Sequence, residues 1–179
     1  MEKYFENGKC TTICFEASIT ASKRLLNIAQ DYADVYTGCC KTAVGSLIVD
    51  NILAPTIMIP GANVSIPCSC KTHGCLRKEK YGEDSKSHRS PEDCRAIHSE
   101  LSAIIAANSN GVSVKGKTIV VTRYPCEACA RAIVQAGITR VVYGRSYEIS
   151  EETDKIFKVA GVGVLHISEW GKEIDDTNI

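Results

Sequence analysis

From His98 to Ile167, helix-like and strand-like segments take turns, and that alternation limits the fold more than any other feature of the sequence. His98 to Ala107 reads as a helix through Leu101, Ile104 and Ile105, Lys117 to Thr122 as a buried strand, and Cys126 to Ala136 as a second helix closed by Gly137. Arg140 to Tyr143 is the next strand, Glu151 to Ala160 a third helix with Ser150 as its N-cap and Gly161 at its end, and Val162 to Ile167 a further strand. A βαβαβ unit of this kind calls for neighbouring parallel strands with right-handed crossovers and helices to cover the sheet.

The first half is less regular. Leu25, Leu26, Ala29, Tyr32 and Ala33 form one helical face within Ser18 to Tyr36, and that helix ends near Gly38. Ala43 to Val49 and Ile52 to Ile59 read as a hairpin turning at Asp50-Asn51, with Pro55 confining the second strand to an edge or a bulge. Residues 1–16 show little periodicity and are read as an irregular leader, and 171–179 as a tail. Between Pro60 and Asp93 neither a period of 2 nor one of 3.6 appears; so long a loop is either functional or held by something.

The 179 residues are enough for one domain, here 17–170. Twenty-one basic residues balance 21 acidic ones, so the formal net charge is zero, which argues against binding long nucleic acid and favours a small ligand. No apolar run has the length of a membrane span, and Met1 to Lys9 has no apolar stretch of a secretory signal, so the expected setting is cytoplasmic and reducing. There, ten cysteines point to metal binding or catalysis rather than to disulfides.

Two motifs carry the chemistry: His98-Ser99-Glu100 at one helix start and Pro125-Cys126-Glu127-Ala128-Cys129 at the next. By itself a C-x-x-C between strand and helix fits a thioredoxin-type redox pair or half of a zinc knuckle equally well. The upstream H-x-E decides, because His98, Cys126 and Cys129 supply three ligands to a tetrahedral Zn²⁺ and leave the fourth position open, as catalytic sites do. Such a zinc lowers the pKa of water, and Glu100, beside a ligand but not one itself, is placed to move the proton. H-x-E…P-C-x-x-C is the signature of zinc nucleobase deaminases.

With these motifs the chain resembles the cytidine and deoxycytidylate deaminase superfamily, and more closely its deoxycytidylate branch, over roughly Ser18 to Ile167. The resemblance rests further on Gly38-Cys39-Cys40-Lys41, Cys70-x4-Cys75-Leu76-Arg77, Cys94-Arg95, Asn110-Gly111-Val112, Gln135-Ala136-Gly137-Ile138 and Val141-Val142-Tyr143. It implies an α/β, three-layer α-β-α cytidine-deaminase-like fold with a five-stranded mixed sheet, a homo-oligomer (hexamer or dimer), and conversion of dCMP to dUMP and ammonia. It also implies substrate contacts from Asn63 and Tyr147 and from the backbone around Ser99 and Pro125. Ser99, Ser102 and Val64 stand where the family usually has Ala, Asn and Gly, departures that bear on the choice of nucleotide rather than on the zinc chemistry. Other substrates stay open: a modified cytidine nucleotide, a nucleoside, a free base or a tRNA adenosine. So does a catalytically silent zinc-binding assembly module.

The Cys-rich segment 60–94 suggests a second, structural zinc, as some family members carry. Cys39, Cys70, Cys75 and Cys94 are the expected ligands and Cys68 or His88 the replacement, against the alternative of free thiols in a mobile lid. Arg77, Lys78, Lys80, Lys86 and Arg89 make this segment basic, suited to a nucleotide phosphate or simply to solvent. His166 is read as a satisfied core or rim histidine and Trp170 as cover for a sheet edge or an oligomer contact.

Overall fold

The computed structural model describes residues 11–64, 69–82, 93–146, 150–168 and 170. Its elements are α1 (Thr11–Tyr36), β1 (Gly45–Val49), β2 (Met58–Ala62), α2 (Cys70–His73), α3 (Leu76–Tyr81), α4 (Ser99–Ser109), β3 (Thr118–Arg123), α5 (Glu127–Gln135), β4 (Arg140–Arg145), α6 (Glu151–Ala160) and β5 (Gly163–His166). The strands form one mixed sheet in the order β2-β1-β3-β4-β5. β1 runs antiparallel to both β2 and β3, whereas β3, β4 and β5 run parallel to one another, as the alternation requires.

Both sheet faces are apolar, so the strands read as continuous hydrophobic runs. Leu47, Val49, Val120 and Val142 point to one side, where Leu25, Leu26 and Ala29 of α1 cover them together with Ile167 and Trp170. Ile48, Ile119, Val121, Val141 and Tyr143 point to the other, under Ala103 and Ala107 of α4, Ala130 and Ile133 of α5 and Phe157 of α6. The β3-α5-β4-α6-β5 progression moves one way across the sheet, so crossovers of one hand put both helices on the same face. Trp170 covers the sheet as expected and donates to Asn27 Oδ1 at 2.7 Å; His166 sits at the rim, stacked on Tyr143 and bonded to the Gly144 carbonyl. Among the described residues no helix is long and apolar enough to cross a membrane.

Three expectations need correction. Residues 11–16, read as part of an irregular leader, belong to α1, Thr11–Tyr36. The second strand is not Ile52 to Ile59 but Met58–Ala62. The Asp50 carboxylate accepts from the backbone N–H groups of Thr56 and Ile57, each at 3.0 Å, and from the Thr56 hydroxyl, while Asn51 Oδ1 accepts from Leu53 N. These side-chain bonds hold the connection as a wide loop that contains Pro55, and only edge-strand Pro60 enters the sheet, where a missing N–H is tolerated. The segment 60–94 is also not structureless: it completes β2 and then forms α2, capped by Ser69 Oγ accepting from Lys71 N at 3.1 Å, and α3.

Gly61 sets the distance between sheet and site. A Cβ there would lie 2.3 Å from the Ser99 carbonyl oxygen and 2.6 Å from Ala103 N, so β2 touches the first turn of α4 only because residue 61 has no side chain.

Candidate active site

Two helix starts face each other beyond the end of β3. His98 is the N-cap residue of α4 and Cys126 that of α5, and neither side chain makes a capping hydrogen bond. Both are turned toward each other instead. Cys126 Sγ and Cys129 Sγ each lie 3.4 Å from His98 Nδ1. All three ligand atoms fall within 4.8 Å of one another, the one such group among the described residues. Zinc–sulfur and zinc–nitrogen bonds of about 2.3 and 2.0 Å at tetrahedral angles separate N from S by about 3.5 Å, so the spacing fits Zn²⁺.

The electrostatics fit it too. A hydrogen bond from Cys129, with His98 adding to it, pulls Cys126 down to about 4, while that same bond and burial push Cys129 up. His98 is raised by its hydrogen bond to Cys126. A divalent cation at the centre would neutralise both sulfurs at once, and the two helix N-termini add favourable dipoles. Glu100 is only 4% exposed, and burial raises its carboxyl above the ordinary range, with His98 pulling the other way. The Ser99 hydroxyl donates to Glu100 Oε2 at 3.1 Å, and the Ser99 carbonyl accepts from Ser46 Oγ at 2.7 Å. Ser99 therefore anchors the turn that aims Glu100, a role its small size alone did not suggest.

A cavity of about 340 Å³ opens onto His98, Glu100 and Cys126. Asn63 and Ser99 line it. The Asn63 amide, however, is engaged in holding the loop before β1: its Oδ1 accepts from Thr37 Oγ1 at 2.8 Å and Val44 N at 2.9 Å, and its Nδ2 donates to Thr42 O at 2.9 Å. Pro125 is buried and is not among the lining residues, whereas Tyr124 is. Tyr124 Oη donates to Asp154, and its ring packs against Tyr143 at 4.7 Å between centroids. Tyr147 lies outside the described residues, as do Cys68 and His88. Lys41, the last residue of the Gly38-Cys39-Cys40-Lys41 motif, and Arg123, which no motif singled out, also line the cavity; Arg123 ends β3, and ligands of open α/β sheets bind beyond the carboxyl ends of strands.

The four thiols expected at a second zinc share one neighbourhood. Cys70 is pushed up to about 11 by burial and by the nearby Cys39, Cys75, Cys40 and Cys94. They do not, however, close to the ligand spacing that His98, Cys126 and Cys129 reach. Cys40 belongs to this group as well.

Residues 19–145 match the family described as the cytidine and deoxycytidylate deaminase zinc-binding region. ComE operon protein 2 of Bacillus subtilis (strain 168) is 33% identical over 131 residues, covering 72% of this chain and 62% of its own length. Deoxycytidylate deaminase of Enterobacteria phage T2 is 40% identical over 94 residues, covering 50% of each chain. The chain thus spans less than two thirds of the length of either relative. The apo crystal structure of dCMP deaminase from the cyanophage S-TIM5 superposes with a TM-score of 0.59 at 19% identity, covering 82% of this chain and 97% of that one, a likeness of fold.

Proposed function

The chain belongs to the cytidine and deoxycytidylate deaminase zinc-binding family, and on that premise we propose that it hydrolytically deaminates a pyrimidine nucleotide, dCMP to dUMP and ammonia. One observation carries the reading: a zinc-spaced His98-Cys126-Cys129 triangle opens, beside buried Glu100, into a cavity of nucleotide size. His98, Cys126 and Cys129 would hold Zn²⁺, which when bound supplies Lewis-acid activation of water.

The chain's own residues do the rest. Glu100 accepts a proton as the water oxygen bonds to C4 of the cytosine ring and delivers it to the ring nitrogen; it then takes the proton of the new C4 hydroxyl and delivers it to the amine, so that the C4–N bond breaks, the carbonyl forms and ammonia departs. The cavity wall shields the exchange, and the Ser99 turn keeps the carboxylate aimed. Deoxycytidylate as substrate is supported by the activity named for the phage T2 relative. Ammonia release should be fastest with dCMP in a panel with CMP, dCTP, deoxycytidine and cytosine; no release from any of them would refute the reading.

The proposal includes a structural zinc on Cys39, Cys70, Cys75 and Cys94, supported by their electrostatic coupling. Purified protein should hold two zinc equivalents per chain and a Cys70→Ser variant one, whereas one equivalent in both would remove the second site. It also includes a reducing, cytoplasmic setting, supported by the free thiols of the seven described cysteines with described side chains. Self-association as a dimer or hexamer is supported by exposed Ile28, Val35 and Tyr36 on α1 and Ile105 on α4.

A further inference from the structure

Strand β1 reads Gly-Ser-Leu-Ile-Val and is buried from end to end, and Ser46 is its one polar side chain. Side chains alternate along a strand, so Ser46 shares a face with Ile48, the face that α4 and α5 cover. An apolar residue would fill that position without difficulty, whereas a buried hydroxyl needs a partner. Ser46 is fully buried, and its Oγ donates to the Ser99 carbonyl at 2.7 Å. That carbonyl does not need the bond. Inside an α-helix a first-turn carbonyl already accepts from the N–H four residues on, here Ala103, so Ser46 adds position rather than satisfaction.

Position matters at this peptide. Ser99 leads directly into Glu100, whose side chain lines the cavity, and the Ser99 hydroxyl donates to Glu100 Oε2 at 3.1 Å. The adjoining strand leaves little slack. Gly61, the register partner of Ser46, approaches so closely that a Cβ on it would lie 2.3 Å from the same Ser99 oxygen. Just beyond β2, the Val64 carbonyl accepts from Ile97 N at 2.7 Å. The strand pair β1–β2 thus grips the segment 97–99 at three points, and Ser46 supplies the one side-chain hydrogen bond among them. We propose that Ser46 is a positioning residue for the deamination: by holding the Ser99 carbonyl it fixes the peptide from which the Glu100 carboxyl is aimed. This rests on the deaminase reading above. Proton transfer needs hydrogen-bond reach of about 2.6–3.2 Å, so a small drift of that peptide slows chemistry without weakening substrate binding.

The test is ammonia release from dCMP by the wild type, Ser46→Ala, Ser46→Cys and Thr118→Val, with zinc content and a thermal melt for each, and by Glu100→Gln with and without Ser46→Ala. Ser46→Ala should lower kcat about 5- to 10-fold, the scale of one neutral hydrogen bond, with KM and zinc content unchanged. Ser46→Cys, whose thiol is a weaker donor, should fall in between. Thr118→Val removes another fully buried hydroxyl, one with no hydrogen-bond partner among the described residues and at the opposite end of β3 from Arg123, and should keep the wild-type kcat. In the Glu100→Gln background the Ser46→Ala loss should vanish, because a residue that acts through Glu100 has nothing left to aim; a merely structural role would slow the residual reaction by the same factor. A wild type that releases no ammonia refutes the deaminase reading and this inference with it. An active wild type refutes only the role of Ser46 if Ser46→Ala keeps full kcat, loses zinc or raises KM instead, if Thr118→Val is slowed as much, or if the loss persists in Glu100→Gln.

Discussion

Glu100→Gln should fold, keep its zinc and lose about 10⁴-fold in kcat, the upper range for removing a positioned acid–base group. The substitution is nearly isosteric, so it leaves the packing around a side chain that is 4% exposed and preserves an acceptor for the Ser99 hydroxyl. Glu100 is not among the three clustered ligand atoms, so the metal site is untouched. What disappears is a group that can take a proton and give it back. Burial moves the Glu100 carboxyl upward, toward the range in which both transfers are feasible, and an amide cannot substitute for it. Steady-state ammonia release, zinc content and a thermal melt decide the matter: a variant with wild-type zinc that retains more than a tenth of wild-type kcat would refute the role given to Glu100.

The parts of this molecule legible in the sequence are those set by local chemistry. Ile119, Val120 and Val121 face alternate sides of a sheet covered on both, so β3 shows as an unbroken apolar run. Gly161 closes α6 in the left-handed region at φ 68°, which few other residues adopt readily. His98, Cys126 and Cys129 were readable because each motif sits at a helix start. The unread parts depend on distant partners. The wide turn after β1 exists because Asp50 reaches Thr56 and Ile57, bonds that no periodicity encodes. Helices α2 and α3, of four and six residues, are too short for a 3.6-residue period to show. Asn63 lines the cavity, and its amide also holds Thr37, Thr42 and Val44, 19 to 26 positions away, bonds that no motif encodes. Arg123 carries no motif and comes to line the cavity only when the sheet forms.

Cys129→Ala should abolish zinc binding at the catalytic site and bring deamination to background. Its sulfur, fully buried on the first turn of α5, lies 3.4 Å from His98 Nδ1, so truncation leaves two of the three protein ligands. Losing a neighbour that merely orients a ligand already costs about 10- to 100-fold in metal affinity, and losing the ligand itself costs more. The effect extends to stability. A metal that binds only the folded chain stabilises it by about 2.7 kcal/mol at a hundredfold excess over Kd, or roughly 5–10 °C in Tm for a chain of this size. Wild type should therefore melt higher in saturating zinc than Cys129→Ala does, and should gain more from added zinc than the variant gains. Glu100→Gln is the control that separates the two functions: it should match the wild type in zinc-dependent Tm and Cys129→Ala in activity. A Cys129→Ala protein that held a full zinc complement and released ammonia would place the catalytic metal elsewhere and undo the proposed mechanism.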